Sequence, residues 1–76
     1  MNTTEHLVRM ANAIGDFFVA MPDADEARRD LAAHIGRYRE PRMRRAILAH
    51  LDQHAGAGLA AIVLQALRQH RGELAG

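Results

Sequence analysis

Five arginines gather around one proline. Arg37, Arg39, Arg42, Arg44 and Arg45 flank Pro41, with Glu40 the single acid among them. A guanidinium is a permanently charged planar fork that pairs carboxylates and phosphates in two-point fashion and stacks on aromatic rings. The cluster therefore points to recognition of an anion rather than to bond-breaking chemistry. Its placement sharpens the point. Pro41 fits the first position of a helix, which puts Arg42, Arg44 and Arg45 in a first turn already made positive by the helix dipole. Each arginine there costs about 0.3–1 kcal/mol unless an anion answers it. No acid stands three or four residues beyond any of them, so no local helical pair compensates. Three sources of counter-charge stay open: acids elsewhere in the fold such as Asp23, Asp25 or Asp30, a bound phosphate or nucleic acid, and a partner protein.

Other chemistry-bearing residues offer less. His50 and His54 stand four apart on one helix, a spacing that can place two imidazoles on one metal. No carboxylate shares their ridge, and Asp52 faces away, so they read as solvent-facing histidines. His34 lies at the edge of an apolar face and reads as a hydrogen-bonded boundary residue, while His6 and His70 carry no signal. The chain has no serine and no cysteine, and its threonines, Thr3 and Thr4, sit near the N-terminus, so a hydroxyl or thiol nucleophile is not expected. Gly56-Ala57-Gly58 lacks the lysine and the strand context of a phosphate loop. The expectation is a protein with no catalytic, cofactor-binding or metal-binding residues of its own.

The elements that must position the arginines follow from composition and periodicity. Seventy-six residues make a single domain, read as residues 1–76, and 15 of its apolar residues are alanine, which shapes helices but buries little area. The absence of cysteine implies no oxidising compartment, and the chain shows neither a signal peptide nor an apolar run of membrane-spanning length; a cytoplasmic setting is expected. The net charge of +1 argues against a dedicated nucleic-acid binder.

Apolar residues recur at helical spacing, predicting an all-α, four-helix domain with helices at about 4–20, 24–35, 41–54 and 60–71. In the first, Leu7, Met10, Ala11, Ile14, Phe17, Phe18 and Met21 form one stripe, with Arg9, Asn12 and Asp16 opposite. Asn2 and Glu5 form a capping box, and Pro22 ends the helix. Asp23 caps the second helix, whose inner face is Ala24, Ala27, Leu31, Ile35 and Tyr38, with Gly36 as its left-handed close. The third buries Ile47, Leu48, Leu51 and Ala55; the fourth carries Leu59, Ile62, Val63, Ala66 and Leu67.

Two residues do not fit a self-contained bundle. Arg44 projects among Ile47, Leu48 and Leu51, and Leu64 lies off the apolar stripe of its helix. Either Arg44 snorkels at the bundle end and Leu64 is an ordinary exposed leucine, or both mark a surface completed by a partner. The second and third helices loosely resemble a helix-turn-helix, although a turn from Gly36 to Glu40 is long for that motif.

Taken together, Leu7-Val8-Arg9-Met10-Ala11-Asn12 with Ile14 and Phe17-Phe18, then His34-Ile35, Pro41-Arg42-Met43-Arg44-Arg45, Leu48-Ala49-His50-Leu51 and Gly56-Ala57-Gly58-Leu59, are informative in order and spacing. They resemble the delta subunit of soluble NAD-dependent, molybdenum-containing formate dehydrogenases along about residues 7–67. One departure is the pair Tyr38-Arg39, where that family commonly carries two aromatics, often Phe-Trp, before the acid and proline. The resemblance implies a non-catalytic accessory subunit that binds the large molybdenum subunit and supports its assembly, cofactor insertion or stability. It implies that the complex carries a molybdopterin guanine dinucleotide cofactor, iron–sulfur clusters, FMN and NAD, none of them bound by this chain. Arg37, Arg39, Arg42 and Arg45 are expected to meet acids on the partner, with Tyr38, Pro41 and Met43 packed beside them. Leu64 is an apolar candidate, and Arg9 and Asn12 are added because the resemblance covers them. The competing expectation is a small DNA- or RNA-binding helical regulator.

Overall fold

In the computed structural model, which describes residues 3–38 and 40–75 and, at Thr3 and Tyr38, the backbone alone, helical periodicity becomes helix throughout. Among the described residues five helices succeed one another: α1 (Thr3–Phe18), α2 (Ala24–Tyr38), α3 (Pro41–His54), α4 (Ala61–Gln69) and α5 (Arg71–Ala75). No strand occurs among the described residues. The expected fourth helix is thus two: it stops at Gln69, and a short α5 follows the non-helical His70.

One core joins them. Ala11 and Ile14 of α1, Leu31, Ala32 and Ile35 of α2, Ile47, Leu48 and Leu51 of α3, Val63, Ala66 and Leu67 of α4, and Leu74 of α5 are buried together. Each large aliphatic among them contributes about 1.5–3 kcal/mol relative to exposure. Alanine and glycine let the helices approach closely. A Cβ added at Gly15 would stand 2.8 Å from Val63 Cγ2, so α1 and α4 meet where there is no side chain to separate them.

Local chemistry explains several boundaries. Asp23 caps α2 as expected: its Oδ1 accepts from the N–H groups of Asp25 and Glu26 at 3.0 and 3.2 Å. Pro41 opens α3 with Glu40 extended before it, at φ −62° and ψ 148°. At the other end Ala55 takes the left-handed conformation (φ 54°), and Gly56 and Gly58 follow with φ of 69° and 87°. Glycine pays no steric penalty there, which is why this tripeptide can reverse the chain into α4.

Corrections concern ends and faces. Gly36 does not close α2, which continues to Tyr38. Only residues 39 and 40 then separate α2 from α3, so the connection is short rather than long. The last helical residue of α1 is Phe18, ahead of Pro22, and the chain turns through a Met21 N–H donation to the Phe18 carbonyl at 3.1 Å. Phe17, expected inside, is 82% exposed, because it sits at the far edge of the stripe where no second helix reaches it. Ala24 and Ala55 are also exposed, at the outer end of their helices. The expected cap Asn2 lies outside the described residues; Glu5 pairs with Arg9 at 2.9 Å.

Candidate docking surface

The arginine cluster divides by role. Arg44 turns inward, half-buried, and its Nη1 donates to the Gly36 carbonyl at 2.6 Å. That carbonyl belongs to the last turn of α2, where the helix dipole is negative, so the guanidinium answers α2 rather than an outside anion. Arg44 Nε is buried without a hydrogen-bond partner among the described residues. Met43, beside it, lines a narrow crevice with Met10, Ile35, Arg44 and Ile47. Arg37 is exposed, lines a groove with Phe18, Asp30, Ala33 and His34, and is engaged in a contact within the chain.

Arg42 and Arg45 differ. Both are exposed on the outer face of α3, and neither has an ion-pair or hydrogen-bond partner among the described residues. Glu40 makes no side-chain cap there, and the first turn holds no acid. Three acids are occupied elsewhere, while Asp30 lines the groove with Arg37. Asp23 serves the N-terminus of α2. Asp25 pairs with Arg28, whose Nε also donates to Gln69 at 2.8 Å and ties α2 to α4. Asp52 pairs with Arg71 across α3 and α5. Pro41 is exposed before them, the side chain of Tyr38 and all of Arg39 lie outside the described residues, and Arg42 and Arg45 are, among the described residues, outward guanidinium groups on a positive helix start.

Other expected site residues are engaged within the chain. Arg9 is exposed and carries its ion pair with Glu5. Asn12 spans α1 and the start of α4: its Nδ2 donates to the Gly58 carbonyl at 3.0 Å, and its Oδ1 accepts from the Ala60 N–H at 2.8 Å. The amide thus caps a helix whose own N-cap, Ala60, has no polar side chain. Leu64 is half-buried against the core, and its Cδ1 would stand 2.5 Å from a Cβ at Gly56.

The histidines are also placed. His50 Nε2 lies 2.7 Å from the Ala57 carbonyl. A carbonyl only accepts, so Nε2 carries the proton and is not free to ligate. His54 is exposed beside it, with ring centroids 5.5 Å apart. No group of three or more His, Cys, Asp or Glu suited to a metal occurs among the described residues. His34 stacks edge-on against Phe18 at 6.0 Å, at the boundary expected of it.

A family model described as the NADH-dependent formate dehydrogenase delta subunit FdsD matches residues 6–67. The chain belongs to this delta-subunit family. No curated protein and no solved structure matches it. The matched span in this delta-subunit chain includes the whole arginine corner, the Asn12 clamp and the Phe17-Phe18 pair. No helix among the described residues is long and apolar enough to cross a membrane.

Sequence reasoning missed Asn12 as a clamp, because nothing local announces a contact 46 residues away. It also missed the exposure of Phe17, for which a signal existed. Phe17 shares its ridge with Met10 and with Ala13, a residue too small to need cover.

Proposed function

We propose that this chain is a non-catalytic accessory subunit that docks by its Pro41 corner on the large molybdenum-containing subunit of a formate dehydrogenase and supports that enzyme's assembly, cofactor insertion or stability. Family membership supports the enzyme context. The observation carrying the docking reading is the pair Arg42 and Arg45, exposed and unanswered among the described residues while Asp23, Asp25 and Asp52 serve other groups. In this reading their forks meet carboxylates on the partner, Pro41 and Met43 supply apolar contact, and the molybdopterin, iron–sulfur, flavin and nicotinamide groups stay with the larger subunits.

The test is charge reversal. The Arg42→Glu/Arg45→Glu variant should lose co-purification with the catalytic subunit while its far-ultraviolet circular dichroism matches that of the parent and its melting temperature is no lower, since acids suit a helix start. Unchanged co-purification would sink the assignment of this corner. The exposed Arg42 and Arg45 keep one rival in view, a small DNA- or RNA-binding helical regulator. Titration with duplex DNA at two salt concentrations separates them, since phosphate binding weakens steeply with salt.

A further inference from the structure

The first turn of α3 has two faces. At about 100° per residue, Met43 and Arg44 centre on the side of the helix opposite Arg42 and Arg45. Burial follows that division: Met43 and Arg44 are half-buried, Arg42 and Arg45 exposed. The inward pair holds the turn in two different ways. Met43 lines the crevice with Met10, Ile35 and Ile47, and a flexible thioether fills space without fixing direction. Arg44 reaches eight residues back, where its Nη1 meets the Gly36 carbonyl at 2.6 Å. A hydrogen bond has a preferred angle as well as a length, so this contact constrains the rotation of α3 about its own axis. Gly36 is a firm point of attachment, because it lies inside α2 and Leu74 of α5 packs over it. Arg44 Nε is buried with no partner among the described residues, so the side chain gives up some hydrogen bonding to keep this pose.

We propose that Arg44 is a positioning residue for docking: its bond to Gly36 locks the first turn of α3 to the last turn of α2 and holds Arg42 and Arg45 aimed at the partner before it arrives. This rests on the docking reading above. Two-point pairing of a guanidinium with a carboxylate tolerates little misplacement, and only residues 39 and 40 join the two helices. A turn free to roll would carry both outward guanidinium groups round with it, and ordering it would add to the cost of binding. An apolar residue at position 44 could fill the same space but would not fix the roll. Arg44 itself need touch no group on the partner.

The experiment titrates the purified full-length chain onto purified catalytic subunit lacking it, by calorimetry, at a temperature where circular dichroism shows every variant folded. Arg44→Met, which keeps the stem and loses the bond, should weaken the dissociation constant about fivefold or more. Arg44→Lys, which keeps a donor, should recover part of that loss. Val63→Ala, a core variant on another helix, should bind as the parent does; an equal loss there would mark a general softening and overturn the positioning role. In half-molar salt the loss caused by Arg44→Met should persist, while that caused by Arg42→Glu shrinks. A loss that disappears in that salt makes Arg44 part of the charged surface and overturns positioning as well. Parent-like affinity for Arg44→Met, with Arg42→Glu binding weakly, overturns the positioning role and leaves the arginine docking intact. Unchanged affinity for both, or a parent that does not bind, removes the docking reading too. Should Arg44→Met fail to fold, Arg44→Gln, with a neutral polar head in the same place, is read by the same outcomes.

Discussion

Single residues here divide between holding the fold and facing outward, and the arginines show both within one turn. Arg44→Met keeps the aliphatic stem but removes the charge from the Gly36 carbonyl at the end of α2. It should lower stability by about 0.5–1.5 kcal/mol, whereas Arg42→Met, which removes an unanswered charge from a helix start, should raise the melting temperature slightly. Equal shifts for the two in thermal melts would contradict this division. Asn12→Ala removes both bonds that close the α1–α4 junction. A loss of about 1–2 kcal/mol is expected, read as a fall in melting temperature of about 4–8 °C per kcal/mol. Asn12→Asp should recover part of it, because a carboxylate still accepts from Ala60 and suits the helix start. At this scale the sequence was half legible. Arginine at a helix start announces an unmet charge, but not whether the end of a neighbouring helix will meet it. The polar face of α1 marked Asn12 as outward without revealing the loop that folds over it.

Elements were the most legible scale, and their failures have a common cause. Caps that act within one turn, such as Asp23 and Pro41, can be read from adjacent residues. Gly36 looked like a helix end because glycine often is one, yet its left-handed freedom is unused inside α2. Leu74 of α5 packs over this glycine: a Cβ at Gly36 would come 3.4 Å from Leu74 Cδ2, an ordinary contact. Gly15 makes the converse point. Alanine in its place gains about 1 kcal/mol of helix propensity, but its Cβ meets Val63, which is fully buried and has nowhere to move. Overpacking at about 1–3 kcal/mol should win. Urea melts of Gly15→Ala, Val63→Ala and the double variant should show the pair less destabilised than the sum by more than about 0.5 kcal/mol. Strict additivity would mean that the helices are not in contact there. At Gly56, with φ at 69° and Leu64 and Leu51 close by, alanine should destabilise through strain and crowding together.

At the scale of the whole molecule, five helices share one core while basic and aromatic groups collect on the outside. Association governed by Arg42 and Arg45 should slow as ionic strength rises, with dissociation changing less. Stopped-flow measurement at two salt concentrations checks this; a salt-independent association rate would remove electrostatics from recognition. The surface was legible in part because charge patterning survives in one dimension, and the small Ala13 on the ridge of Phe17 was a weak signal of its exposure. The Asn12 clamp carries a last consequence, for motion. Since the Ala60 amide is held by α1 and not by its own helix, its hydrogen exchange should report the detachment of α1. The first and last parts of the chain would then open as one unit, and a nick ahead of Asn12 would loosen residues almost fifty positions away.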